Sequence, residues 1–137
     1  MIVVVDASVA VKWFIHEPDR PAARRLLEPD SRLVAPDLIV AEVASAMWKR
    51  AVAGESDPRQ APLMAASLPR FFTRLLPLVP LAARALEIAA ELRHPVYDCF
   101  SLALAEREEA PLVTADRRLI ERLAGSRWEA ICRPLVA

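Results

Sequence analysis

Short apolar segments alternate with helical segments along this 137-residue chain, and this alternation limits the possible folds more than any other feature. The first is IVVV at residues 2–5, and four consecutive apolar residues are typical of a strand buried on both faces. Further short strands are predicted at 33–35, 76–80, 111–116 and 127–132. Strands joined by helices require right-handed crossovers. The sequence therefore predicts an α/β fold with a mostly parallel sheet of four or five strands between helical layers.

Helices are predicted between these strands from apolar spacing and end signals. A short helix follows the first strand, and a longer one begins after Asp37 as N-cap and ends at Gly54. The segment before residue 76 contains Pro62 and Pro69, which predict one kinked helix or two short ones. The remaining helices are predicted at 19–28, 81–92, 94–109 and 117–125.

Composition excludes several functional classes. The chain has two glycines, whereas phosphate-binding loops and dinucleotide fingerprints need several. Cys99 and Cys132 form no CxxC pair and are accompanied by two histidines, which argues against a zinc site or a disulfide scaffold. The formal net charge is zero and gives no indication of a nucleic-acid partner. With no apolar stretch long enough to span a membrane, we expect one cytoplasmic domain covering residues 1–137.

Four acidic residues lie where strands end or helices begin. Asp6 and Asp116 follow predicted strands, and Asp98 opens a predicted helix, so each could simply cap a helix. Glu42 lies on an apolar helical stripe with no cation three or four positions away. Such a carboxylate is costly unless it borders the surface or is compensated.

Taken together, the four acids indicate a metal site. Parallel strands end at one edge of a sheet, so Asp6 and Asp116 should meet there, with Glu42 and Asp98 in the first turns of helices that start at that edge. No lysine or histidine is assigned to neutralise them, and close carboxylates raise one another's pKa and oppose folding. A hard cation removes this repulsion, and oxygen ligands suit Mg²⁺ or Mn²⁺. Such an ion polarises phosphoryl oxygens and activates water.

The segments that carry these acids resemble the four acidic motifs of PIN-domain ribonucleases, in particular the VapC-type toxins of bacterial type II toxin–antitoxin pairs. They are VVVDASVAVKW, PDLIVAEVASAMW, HPVYDCFSLALAE and APLVTADRRL, in the family's order and spacing. The resemblance runs from Ile2 to about Pro134. It implies a PIN-like three-layer α/β/α sandwich and Mg²⁺- or Mn²⁺-dependent cleavage of RNA that leaves 5′-phosphate and 3′-hydroxyl ends.

The resemblance also implies a role for each matching acid. Asp6 and Asp98 match the principal metal ligands. Glu42 and Asp116 match the acids that complete the site, through water or a second ion. None of the four is missing, so the sequence gives no sign of an inactive enzyme.

Supporting residues lie beside the acids. Ser8 matches the small polar residue after the first acid, and Thr114 the hydroxyl residue that often precedes the last, although it could be an ordinary strand residue. Arg117, Arg118 and Arg122 are close in sequence to the last acid and could bind RNA phosphates, which would position RNA without specifying its sequence.

Partners are implied by the same resemblance. Toxins of this type form homodimers and are inhibited by a small VapB-type antitoxin whose tail crosses the active site. A basic side chain of that tail can bind the acids. Trp13, Phe14 or Trp48 could supply an apolar dimer surface, or could belong to the core.

Two other functions fit part of the pattern. A non-catalytic PIN-like module that binds RNA or protein would be expected to have lost an acid. A phosphohydrolase of the haloacid-dehalogenase or receiver type also has an aspartate after its first strand, but needs a later lysine. The only lysines here are Lys12 and Lys49.

Overall fold

Five parallel strands form a single sheet in the computed structural model, which describes residues 1–136; Ala137, the last residue of the predicted domain, lies outside this range. The strand order is β3-β2-β1-β4-β5, with every neighbouring pair parallel. The strands are β1 (Ile2–Val5), β2 (Arg32–Pro36), β3 (Arg74–Leu76), β4 (Leu112–Thr114) and β5 (Cys132–Pro134). The predicted α/β fold is confirmed.

Helices connect the strands and cover both faces of the sheet. They are α1 (Ala7–Ala10), α2 (Arg20–Arg25), α3 (Leu38–Val52), α4 (Ala61–Ser67), α5 (Ala82–Leu92), α6 (Val96–Glu108) and α7 (Arg117–Leu123). Asp37 occupies the N-cap position of α3, but its side chain makes no capping hydrogen bond. Gly54 follows the end of α3 with φ +77°, a left-handed conformation that glycine adopts without strain.

The core lies in two layers, one on each face of the sheet. Val4, Val34 and Leu112 pack with α5, α6 and α7 on one face. Val3 and Val5 pack with α1, α2 and α3 on the other. Since alternate residues of a strand point to opposite faces, a strand covered on both sides must be apolar throughout, which explains IVVV.

Two predicted strands are misplaced along the chain. The prediction at 76–80 is wrong because β3 ends at Leu76 and Pro77, which follows, has no N–H to donate to the sheet. The prediction at 127–132 overlaps β5 only at Cys132, because residues 129–131 form a 3-10 turn. Both errors come from reading apolar content as strand where the chain is turning.

The two candidate dimer aromatics of the first helical segment are not equally available. Trp13 is 3% exposed and packs against Phe71 and Phe72 in the core, so it cannot supply a dimer surface. Phe14 is partly buried against the same cluster. Trp48, on α3, is 64% exposed.

No helix among residues 1–136 combines the length and apolar composition needed to cross a bilayer.

Candidate active site

The carboxyl ends of β1 and β4 are neighbours in the sheet. Val5 pairs with Val113, and the Asp6 N–H donates to the carbonyl of Val113 at 3.0 Å. Asp6 therefore leaves the sheet directly beside the segment that leads to Asp116. These two acids lie at one edge of the sheet, as parallel topology requires.

Asp6 is held from one side of its carboxylate. Its Oδ2 accepts hydrogen bonds from the Ser8 hydroxyl at 2.5 Å, the Ser8 N–H at 3.2 Å and the Thr114 hydroxyl at 3.1 Å. Asp6 is thus the N-cap of α1, yet its Oδ1 accepts no hydrogen bond from residues 1–136. The residue is 5% exposed. The capping interaction orients the carboxylate and leaves one oxygen for another ligand.

Ser8 and Thr114 also connect Asp6 to the segment after β4. The Ala115 N–H donates to Ser8 Oγ at 2.9 Å, and the Asp116 N–H donates to Thr114 Oγ1 at 3.1 Å. The two hydroxyl oxygens lie 3.3 Å apart. Thr114 is fully buried, so its hydroxyl has to be satisfied inside the protein, and the Asp6 carboxylate does this.

Helices α3 and α6 bring the next two acids to this edge. Glu42 is the fifth residue of α3 and so lies in its second turn rather than its first. Asp98 does not open its helix: α6 begins at Val96 after Pro95 as N-cap, and Asp98 is its third residue. Asp98 is therefore in the first turn of α6, but it does not cap the helix.

Burial and the charge of Asp98 raise the pKa of two of the four acids, Asp6 and Glu42. Burial is the main cause that raises the pKa of Asp6, and the charge of Asp98 raises it further. The pKa of Glu42 is raised to about 7, first by burial and then by the charges of Asp6 and Asp98. The predicted repulsion between converging carboxylates therefore exists among Asp6, Glu42 and Asp98, which we call the acidic edge.

Asp116 stands apart from the acidic edge. Its Oδ1 accepts from the N–H groups of Arg118 at 2.9 Å and Leu119 at 3.4 Å, which makes it the N-cap of α7. It is not among the charges that raise the pKa of Asp6 or Glu42. The capping interpretation is correct for this residue, which remains beside the site through its N–H bond to Thr114.

A histidine accompanies the acids, contrary to the prediction that none would. His94 Nε2 lies 2.6 Å from Asp98 Oδ2, and the two side chains are 9% and 20% exposed. The signal was present in the sequence, because HPVYD places the histidine four residues before the aspartate. Pro95 between them predicts a turn that would separate the two side chains, whereas in the structure Pro95 is the N-cap of α6.

The donor set fits a hydrated divalent cation. Within residues 1–136, Asp6, Glu42 and Asp116 form no ion pair with a basic side chain. In the same part of the chain, no group of three or more His, Cys, Asp or Glu side chains lies close enough together to hold a metal ion. Mg²⁺ does not need one, because it is usually held by one or two carboxylates together with waters and substrate phosphates. Oxygen donors and uncompensated negative charge are what such an ion requires.

The basic residues predicted beside Asp116 separate in space. Arg117 and Arg118 both begin α7 and both are exposed. Arg118 and Arg122 line an open cleft next to the acids, whereas Arg117 is not part of its wall.

Comparison with known proteins identifies the family of this chain. Residues 3–125 match the profile of the PIN domain, so the chain belongs to the PIN-domain family. The sequence is 35% identical over 126 residues to ribonuclease VapC3 of Pyrobaculum aerophilum, a match covering 89% of this chain and 95% of that protein. It is 33% identical over 118 residues to ribonuclease VapC1 of Mycobacterium tuberculosis, covering 85% and 86%.

The fold agrees with a solved structure as well. VapBC2 from Rickettsia felis, bound to a DNA fragment from their promoter, superposes with a TM-score of 0.68 at 16% identity and covers 98% of each chain. At this identity the match concerns the fold alone. With helices packed on both faces of its sheet, this chain has the three-layer arrangement that the sequence resemblance implies.

Proposed function

We propose that this protein is a PIN-domain endoribonuclease of the VapC type, the toxin of a toxin–antitoxin pair. The observation that carries the proposal is the acidic edge: three buried or half-buried carboxylates that repel one another at the end of a parallel sheet. Membership of the PIN-domain family and 35% identity to a ribonuclease VapC support it. We also propose that residues 1–137 form one domain and that this domain carries the whole function.

The cofactor we propose is Mg²⁺ or Mn²⁺, held by Asp6 and Asp98, with Glu42 and Asp116 completing the site through water or a second ion. When bound, such an ion polarises a phosphoryl oxygen and lowers the pKa of water, the chemistry that phosphodiester hydrolysis needs. The chain contributes orientation. Ser8 and Thr114 hold one oxygen of Asp6, and His94 one oxygen of Asp98, and such outer contacts align ligands and tune their basicity.

We further propose a VapB-type antitoxin and a homodimer as protein partners, in the cytoplasm. An apolar concavity of about 270 Å³ between α3 and α4 supports a protein partner. Trp48, which lines this concavity, remains 64% exposed on α3. Exposed apolar side chains that cluster at a concave surface are typical of an interface. Cys99 and Cys132 are unpaired, as in proteins of a reducing compartment.

The direct test is cleavage of RNA. Purified protein is incubated with total bacterial RNA and Mn²⁺, and new 5′ ends are mapped by sequencing, with parallel samples containing chelator or the Asp98→Asn variant. Discrete cuts that disappear in both controls are expected. RNA binding without any cut would favour the non-catalytic PIN-like module, and cuts that persist with Asp98→Asn would contradict the assignment of the site.

A further inference from the structure

An open cleft of about 600 Å³ lies beside the acidic edge, between the turn before α6 and the outer face of α7. Its wall is formed by His94, Pro95, Arg118, Glu121, Arg122 and Ala124. The proposed hydrolysis does not use this space.

Two residues of the wall touch the acids directly. The ring of His94 is bonded to Asp98 through Nε2 at 2.6 Å. The backbone N–H of Arg118 donates to the Asp116 carboxylate at 2.9 Å. The cleft therefore opens immediately next to Asp98 and Asp116, and a group bound in it would lie beside anything bound at the acids.

Two arginine side chains of the cleft wall have no ion-pair partner in the described part of the chain. Arg118 and Arg122 are one helical turn apart on α7, and within residues 1–136 neither forms an ion pair. By contrast, Arg84 and Arg127 on the neighbouring surface are both bound to glutamates. Glu121 is the single acid in the cleft wall, so the wall has one more positive than negative charge even with His94 neutral.

We propose that this cleft binds a backbone phosphate of the RNA, next to the phosphodiester that is cut, with Arg118 and Arg122 as its ligands. This rests on the proposed ribonuclease function. Negative charge of the acids that a bound metal ion does not neutralise repels the phosphates on either side of the scissile bond, and cations beside the site offset this repulsion. Arginine suits this task because its planar donors match phosphate oxygens in pairs. The two arginines are positioning residues, and their contacts carry no sequence information.

Arg117 provides the matched control. It belongs to the same helix, is equally exposed and carries the same charge, but does not line the cleft. Charge near the site therefore cannot by itself account for a difference between Arg117→Gln and Arg118→Gln. Glu121 provides a control of opposite sign, because removing its charge should make the cleft a better phosphate site.

The test measures RNA binding in a protein that does not cleave. Fluorescein-labelled single-stranded RNA of mixed sequence is titrated with Asp98→Asn protein in Mg²⁺, by anisotropy, at several salt concentrations. Adding Arg118→Gln or Arg122→Gln should weaken binding about tenfold each, as expected for a charge-assisted contact. The logarithm of the binding constant falls linearly with the logarithm of the salt concentration, and each variant should make this slope shallower by about 0.7. That value corresponds to the loss of one phosphate contact on a single strand. Arg118→Lys should recover part of the affinity, since it keeps charge but not the paired geometry.

The controls should separate clearly. Arg117→Gln should leave affinity and slope unchanged, and Glu121→Gln should tighten binding about threefold, as removal of a repelling charge beside a phosphate would. Equal affinities for Arg117→Gln, Arg118→Gln and Arg122→Gln overturn the cleft assignment, and if wild-type protein still cleaves RNA, the ribonuclease function stands without it. If the cleft variants lose RNA binding but the wild-type protein does not cleave RNA, the phosphate-binding role of the cleft is supported and the ribonuclease function is rejected. Absence of RNA binding by the parent protein rejects both.

Discussion

Two glutamates, on helices that cover opposite faces of the sheet, show how strongly the surroundings of a side chain decide its pKa. Glu42 is half-buried near Asp6 and Asp98, and its pKa is raised to about 7. Glu91 is exposed on α5, accepts hydrogen bonds from Arg127 and Trp128, and its pKa is lowered to about 2. The protein therefore possesses arginines that can neutralise carboxylates. Within residues 1–136, no lysine or arginine pairs with an acid of the acidic edge, where Asp98 alone has a basic neighbour, His94.

This difference indicates what the acidic edge is for. Carboxylates that only hold a fold together are paired, as on the α5 surface, and their folded state is favoured. Carboxylates that are left unpaired and partly buried oppose folding until a cation binds them. The following predictions test that contrast, from the largest expected effect to the smallest.

The largest effect is expected for Asp98→Asn. This change removes the charge of a metal ligand with little change of side-chain volume, so the protein should stay folded. The rate of RNA cleavage should fall about a thousandfold, which corresponds to a loss of about 4 kcal/mol of transition-state stabilisation. Cleavage rate and circular dichroism of the purified variant test this. A folded variant with near-normal cleavage would mean that Asp98 is not a metal ligand.

His94→Ala should weaken metal use without removing a ligand. Loss of the bond to Asp98 Oδ2 frees that carboxylate to rotate, and such outer-shell changes reduce metal affinity or activity by about ten- to a hundredfold. The Mn²⁺ concentration for half-maximal cleavage should rise. His16→Ala is the matched control, because His16 is exposed and, within residues 1–136, is neither hydrogen-bonded nor ion-paired to any of the four acids. An equal response of both variants would contradict this role.

Glu42→Gln should stabilise the metal-free protein. Because the pKa of Glu42 is raised from 4.5 to about 7 in the folded state, the unfolded chain loses this proton first as pH rises. Stability of the wild type in chelator should therefore fall between pH 4.5 and about 7. At pH 7.5, Glu42→Gln should raise the Tm by about 3 °C, and Mg²⁺ should raise the Tm of the wild type more than that of the variant. A lower Tm for Glu42→Gln in chelator would show that the carboxylate is already compensated.

Glu91→Gln should have the smallest effect and the opposite sign. The pKa of Glu91 is lowered in the folded state, so its contribution to stability is present above the ordinary glutamate pKa and is lost as pH falls towards 2. Removing an exposed pair should lower the Tm slightly at pH 7, and less so at high salt. A salt-independent fall would show instead that the bond from Trp128 Nε1 matters more than the charge.

Much of the fold could be predicted from local pattern. Strands covered on both faces must be apolar, so β1 was visible as IVVV, and the buried face of α5 was visible from the spacing of Ala85, Ile88 and Leu92. β3 and β5 are edge strands of three residues, and their apolar neighbours lie in turns. Edge strands depend on pairing with one partner rather than on their own composition, so local pattern locates them poorly.

The candidate site also combines features that the sequence determined with features that only the tertiary structure decided. That Asp6 and Asp116 lie at the same edge of the sheet was determined by the sequence, because parallel topology places the ends of such strands together, whereas the pairing of β1 with β4 was not. The sequence also determined which residues carry charge and that no cation lies three or four positions from Glu42. Only the tertiary structure decided that Asp98 is bonded to His94, that Asp116 caps a helix and that Arg118 rather than Arg117 faces the cleft. The reason is geometric: which face a helix presents, and which charges share one field, depend on how its buried side chains pack against the sheet.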